Sequence, residues 1–279
     1  MSFEVHSFVD VDFDRCQHLS FAGGTAVVFS SKKPGREGPN QDSASLIAIA
    51  KKKGVLVVSD GAGGHPGGAR ASALAIDAMQ KAIGKAVDQK RDLRDGILDG
   101  FEQANKSIQA MGVGAAATLA VVEIQENQLR AYHAGDSMVL VVGQRGKIKQ
   151  STIPHSPVGY AVEAGLLDPE QALHHDDLHL VSNLLGRDDM RIELGSSSVL
   201  SARDTVVLAS DGLSDNVRLE EIVAQLRSGP LSRRAGVLAD LAQKRMVHPD
   251  EGAPSKPDDL TFIAFRRAGK ARNSSQNSE

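Results

Sequence analysis

Five short apolar runs of this chain begin or end on an aspartate. Asp60 closes the run in VLVVSDGAGGH, Asp211 closes the one in VVLASDGLSD, and Asp136 follows a third in AYHAGDS. Asp258, with Asp259 beside it, opens the run in KPDDLTFIAF, and Asp42 opens the one in GPNQDSASL. A carboxylate at the end of a buried strand is costly unless a neighbour compensates its charge. A single aspartate of this kind caps a turn or a helix. Five of them, each beside a strand end, suggest one place where the strand ends gather and their charge is compensated.

Hard cations supply that compensation. Magnesium and manganese take oxygen ligands, and magnesium keeps several waters beside one or two carboxylates. The aspartates therefore read as one electronegative pocket for such ions. They read equally as turn formers, because Asp-Gly is among the commonest turn pairs. Spacing alone leaves both readings open. Gly61, Gly63 and Gly64 after Asp60 let the backbone turn tightly.

Runs rich in Val, Leu and Ile, bounded by Gly, Asp or Asn, predict strands over Thr25–Ser30, Ser43–Ala50, Gly54–Ser59, Thr118–Ile124, Gln128–His133, Met138–Gly143, Thr205–Ala209 and Leu260–Phe265. VVEI and LRAYHAG, separated by QENQ, read as a hairpin. Helical spacing covers Ala69–Val87 and Asp92–Met111, with later helices at Leu219–Arg227 and Ser232–Met246. Strands fall in antiparallel groups with helices inserted in pairs, which predicts an α+β layering. Residues 1–268 read as one domain, and 269–279 (GKARNSSQNSE) as a disordered polar tail.

Composition removes several function classes. With 32 basic and 35 acidic residues and a net charge of -3, nothing predicts nucleic acid or an anionic membrane as partner. No Trp and few Tyr leave no platform for stacking bases. Cys16 is the only cysteine, so an internal disulfide and a cysteine-rich zinc site are excluded, and it reads as a small hydrophobe. The start, MSFEVHSFVDVDFDRC, has no basic, apolar leader pattern. The most apolar stretch, Val113 to Val122, falls well short of the roughly 20 residues of a membrane span. The expectation is a cytoplasmic protein.

Taken in order, the motifs resemble the metal-dependent type 2C family of protein phosphatases. GREGPNQDS is similar to the family's Arg-x-x-Asn-(Glu/Gln)-Asp opening, and SDGAGGH to its Asp-Gly-x-Gly-Gly-His. AGDS, ASDGLSD and PDDLT resemble its Gly-Asp-Ser, Ala-Ser-Asp-Gly-Leu and closing Asp-(Asn/Asp)-x-Thr. The resemblance runs from about Arg36 to Phe265 and implies a four-layer α-β-β-α sandwich, two antiparallel sheets with the metal site at one end and helices outside. It implies two Mn2+ or Mg2+ ions, with Asp60 bridging them, the Gly61 carbonyl on one, and Asp211 and Asp258 on the other. Asp42 would bind through coordinated water, and Asp136 matches a position that helps hold a third, weaker ion in bacterial relatives. The reaction implied is direct hydrolysis of phosphoserine or phosphothreonine in a protein by a water shared between the ions, in opposition to a Ser/Thr kinase. Arg36 would grip the phosphate and His65 would donate a proton to the leaving oxygen.

The chain departs from that pattern in places. Arg36 stands six residues before Asp42 rather than five, with Glu37 in the usual slot. Gln41, Pro154 and Met138 replace a glutamate, the aspartate of Asp-His-Ser and the arginine of Gly-Asp-Ser-Arg. The stretch SPVGYAVEAGLLDPEQALHHDDLHLVSNLLG resembles the family's flap; His155, His174, His175 and His179 there read as solvated loop residues rather than metal ligands. Two other functions stay open from the residues: a phosphoprotein-binding module without turnover, and a hydrolase of small phosphomonoesters.

Overall fold

Alternating faces of the apolar strands explain the architecture. The computed structural model describes residues 3–62, 67–173 and 175–268. Its strands are β1 (Glu4–Val9), β2 (Gln17–Phe21), β3 (Gly24–Ser31), β4 (Asp42–Ala50), β5 (Lys53–Asp60), β6 (Leu119–Gln125) and β7 (Gln128–Ala134). They continue with β8 (Met138–Val142), β9 (Ile148–Ser151), β10 (Glu193–Leu194), β11 (Ser198–Val199), β12 (Thr205–Ala209) and β13 (Leu260–Arg267). The α-helices are α1 (Gly68–Asp88), α2 (Leu93–Gln109), α3 (Pro157–Glu163), α4 (Pro169–Ala172), α5 (Asp211–Ser214), α6 (Leu219–Leu226) and α7 (Leu231–Val247).

The first sheet has the order β1-β4-β5-β6-β7-β10, with β11 also on β7; the second has the order β2-β3-β13-β12-β8-β9. Every pairing is antiparallel. In β5, Val55 and Val57 pack with Ile76, Met79 and Phe101 beneath α1 and α2. Leu56 and Val58 point the other way, into the layer between the sheets with Leu46, Leu208 and Ile263. Successive side chains of a strand face opposite sides, so a strand covered on both sides must be apolar throughout. The second sheet repeats this: Phe29, Leu140 and Phe262 meet Leu226, Leu238 and Ala242 of α6 and α7, while Val28 and Val141 face the first sheet. The outcome is the four-layer α-β-β-α sandwich. No helix among the described residues is long and apolar enough to cross a membrane.

Where the structure adds to the expected elements, the reason is partial burial. The strands β1, β2 and β9 lie at sheet edges and alternate exposed with covered residues, so they carry no apolar run. Pairing with a neighbour, Glu4–Val9 against Ser43–Ala48 for β1, makes them strands. The β6–β7 connection is tighter than QENQ predicts: Gln125 and Gln128 pair, leaving Glu126 and Asn127 as the turn, with Glu126 at φ 56°. The flap is not bare loop. Ser156 and Asp168 cap α3 and α4 by accepting from the Gly159 and Glu170 N–H groups at 2.9 Å, each followed by a proline at the first helical position. Cys16 is buried in the outer core, and burial pushes its thiol up to about 11, as suits a small hydrophobe.

Phe101, fully buried on α2, fills the space between that helix and the first sheet. Phe101→Ala is expected to cost about 3–5 kcal/mol, read as a lower urea midpoint with an unchanged slope.

Candidate metal centre

Topology gathers the aspartates. In the second sheet β12 lies between β13 and β8, antiparallel to both, so its C-terminal end meets their N-terminal ends; Ala209 pairs with Met138 and with Phe262. Asp211 after β12, Asp136 before β8 and Asp258 before β13 therefore form one row. In the first sheet Asp42 opens β4 and Asp60 closes β5, and the two are direct cross-strand partners. Ser210 Oγ donates to Asp42 Oδ2 at 2.6 Å and ties the two rows together across the sandwich.

The backbone around Asp60 is clamped. Its N–H donates to Thr118 Oγ1 at 3.0 Å, its carbonyl accepts from the Thr118 N–H at 2.8 Å, and Thr118 Oγ1 also lies 2.6 Å from Ser137 Oγ, beside Asp136. The glycines of the two Asp-Gly pairs serve close approach rather than a left-handed turn. Neither Gly61 nor Gly212 has a positive φ. A Cβ on Gly61 would meet the Gly68 carbonyl oxygen at 2.2 Å, and one on Gly212 the Asp259 carbonyl oxygen at 1.9 Å. The turn role expected of Gly61 is thus corrected, and Gly63, Gly64 and His65 lie outside the described residues.

Burial, then the charges of Asp42, Asp211, Asp136 and Asp258, raise the Asp60 carboxyl well above the usual range. Burial does the same to Asp42, against a hydrogen bond from Ser210. Asp136 is pushed up to about 7 by burial and then by Asp211, and Asp258 is raised by the same causes. Asp42 is 1% exposed, and its Oδ1 has no hydrogen-bond partner. Such an atom is strongly disfavoured without a cation nearby. The donors are all carboxylate oxygens, the chemistry of Mg2+ or Mn2+ rather than of zinc or copper. Among the described residues no three of these aspartates place ligand oxygens within 4.8 Å of one another. The carboxylates present, with one buried oxygen unpartnered, fit hard divalent ions.

A family model described as protein phosphatase 2C matches residues 33–242, well over half of the sequence. The chain belongs to the protein phosphatase 2C family. It is 29% identical over 191 residues to protein phosphatase PhpP of Streptococcus pneumoniae, covering 66% of this chain and 76% of that protein. Its fold is similar to serine/threonine phosphatase Stp1 of Staphylococcus aureus, with a TM-score of 0.73, 26% identity, and 88% and 95% of the two chains covered. It is similar also to the catalytic domain of the serine/threonine phosphatase PstP in complex with two manganese ions, with a TM-score of 0.69, 26% identity, and coverage of 88% and 98%. The reaction class follows: a metal-dependent hydrolase of serine and threonine phosphates in proteins.

Two residues of this type 2C phosphatase site escaped the sequence reading. Asp215 lies one helical turn after Asp211, and burial with the Asp211 charge pushes its carboxyl up to about 8. The i, i+4 spacing in ASDGLSD puts both carboxylates on one face and was the available signal. Lys256 Nζ reaches Asp215 Oδ2 at 2.6 Å and Asp211 Oδ2 at 2.9 Å. Burial disfavours its ammonium, but the charges of Asp211 and Asp215 outweigh that and raise its pKa.

Arg36 lies at the rim. Its Nη1 donates to Asp259 Oδ2 at 2.5 Å and its Nη2 to Gln41 Oε1 at 2.6 Å. Asp259 also accepts from the Lys33 and Gln41 N–H groups. Gly35 and Gly38 sit at φ 74° and 110°, and this irregular loop accommodates the extra residue between Arg36 and Asp42.

His155 is 3% exposed, which overturns its reading as a solvated loop residue; His175 and His179 are exposed, and His174 lies outside the described residues. Its N–H donates to the Gly135 carbonyl at 3.1 Å, and its Nδ1 accepts from the Gly135 N–H at 3.1 Å and from Asn183 Nδ2 at 2.8 Å. The ring therefore holds the turn that presents Asp136. His133, His155 and Glu193 bring ligand atoms within 4.8 Å, yet the imidazoles stack at 4.2 Å and 20°. Stacked rings aim their in-plane lone pairs side by side rather than at one ion. His155 Nε2 is moreover engaged by Glu193 Oε2 at 2.9 Å.

The raised carboxyls set the pH behaviour of the metal-free protein. Asp136 and Asp215 titrate at about 7 and about 8 when folded, against 3.8 for the free group, so between those values the folded state holds more protons. Their contribution to stability is full below the unfolded pKa and is lost as pH rises through the folded pKa values. In excess chelator the melting temperature is expected to fall as pH rises from about 4 through about 8, the window between the free and the folded values. A melting temperature that climbs with pH in chelator would contradict the raised carboxyls.

Proposed function

We propose that this phosphatase cleaves phosphoserine and phosphothreonine in a protein substrate with two divalent ions, Mn2+ or Mg2+. Asp60, the Gly61 carbonyl, Asp211 and Asp258 would hold them, with Asp42 acting through water. The observation that carries this reading is the meeting of two rows of half-buried aspartates at one end of the sandwich, with the Oδ1 of the fully buried Asp42 left unpartnered. When bound, such ions activate water for attack and draw charge from the phosphoryl oxygens.

The chain's own groups do the rest. Asp259 and Gln41 fix the plane of the Arg36 guanidinium and leave further N–H groups for two phosphate oxygens. His65 is the proposed proton donor to the leaving oxygen, on its sequence position after the glycines. A cavity of about 440 Å³ opens from Asp136, Asp211 and Asp215 beneath the flap, walled by Pro154, Val158 and Leu173. It offers the residues flanking the phosphate an apolar place to lie. A Ser/Thr kinase would generate the substrate.

The test is phosphate release from a phosphothreonine peptide with manganese, with magnesium and with excess chelator. Metal-dependent release that stops in chelator supports the reading, and folded protein inert with both ions overturns it. Asp60→Asn is expected to abolish turnover while the circular dichroism spectrum stays native; full activity in that variant would refute the two-ion assignment. Arg36→Ala removes charge-assisted hydrogen bonds of about 1.5–3 kcal/mol, so kcat/KM should fall at least about tenfold. Arg36→Lys should not restore it, since an ammonium cannot reproduce the planar fork.

A further inference from the structure

Lys256 does not hang loosely over the centre. It lies on the segment between α7 and β13, and that segment is pinned by groups other than the aspartates it touches. Asn216 is fully buried, and its Oδ1 accepts from the Lys256 N–H at 2.8 Å. Asn216 Nδ2 donates to the Lys256 carbonyl at 2.8 Å and to the Gly212 carbonyl at 2.9 Å. One residue earlier, Ser255 Oγ donates to the Arg245 carbonyl at 2.7 Å, and Arg245 Nη1 in turn donates to the Asn216 carbonyl at 3.0 Å. A buried amide thus joins the backbone of Lys256 to the helical turn that carries Asp211 and Asp215. The ammonium reaches both carboxylates from a base already fixed, taking Oδ2 of each.

We propose that the Lys256 ammonium serves as a built-in cation on the Asp136–Asp211–Asp215 side of the centre, so that this phosphatase binds two divalent ions and no third. The proposal rests on the two-ion reading above. With one oxygen of Asp211 and one of Asp215 committed to the ammonium, a further divalent ion there would have to evict the lysine or share its oxygens at a short like-charge separation. Asp211 Oδ1 remains for the ions of the main pair. Asp136, which the sequence resemblance matches to a third-ion position, then faces a fixed positive charge. The Lys256 charge acts on its carboxyl, lowering its pKa against the larger effects of burial and Asp211.

The decisive measurement is manganese stoichiometry, by calorimetry and by elemental analysis after equilibrium dialysis at saturating ion. Wild type is expected to bind two ions per chain, Lys256→Met three, and Lys256→Arg two. Three ions on wild type, or two on a folded Lys256→Met, would overturn the proposal and leave the two-ion reading standing. Fewer than two on wild type would remove that reading and the proposal with it. Anomalous scattering from wild-type crystals grown in manganese needs no variant. Two peaks, with Lys256 Nζ still on Asp211 and Asp215, are expected; a third peak beside a displaced lysine would refute it.

Discussion

Carboxylates crowded away from water repel one another, and everything at the functional end of this protein is arranged around that repulsion. Asp60 feels Asp42, Asp211, Asp136 and Asp258 on top of its own burial. No chain would tolerate that arrangement for stability alone, because each buried charge costs several kcal/mol unless compensated. The compensation comes from cations, some brought by the solvent and one by Lys256. Ion binding at the centre is therefore linked to the stability of the fold.

The sandwich supplies the rigidity that such a centre needs. Each row of aspartates stands at the end of strands whose two faces are sealed, one by helices and one by the opposite sheet. Ser210 on one sheet holds Asp42 on the other, and Asn40 Nδ2 reaches Ser30 Oγ, which lies 2.7 Å from Thr261 Oγ1. These buried hydrogen bonds set the spacing between the rows. Loops could not fix that spacing, since the strands' own packing leaves them no slack. The flap, by contrast, is built from short capped helices over a cavity.

His155 shows how far local sequence can mislead. It stands among histidines of a polar stretch, yet its ring is buried against His133 and holds the turn before Asp136. Its partners lie far from it in sequence: Gly135 twenty residues before, Asn183 twenty-eight after. Arg36 is the opposite case. It stands one residue further from Asp42 than the family pattern, and in the loop with Gly35 and Gly38 its guanidinium reaches Asp259 beside Asp258.

The central strands and long helices were legible in the sequence because burial on both faces, or on one helical face, leaves a continuous or periodic apolar record. Asp42, Asp60, Asp136, Asp211 and Asp258 were legible for the same reason, each standing at the edge of such a record. The edge strands β1, β2 and β9 left none, since half of each faces water. Tertiary structure alone decided what compensates what. Lys256 lies far along the chain from Asp211 and Asp215, and only the antiparallel return of β13 beside β12 brings the lysine to them. Charge pairs are matters of distance in space, and local sequence records only the distance along the chain.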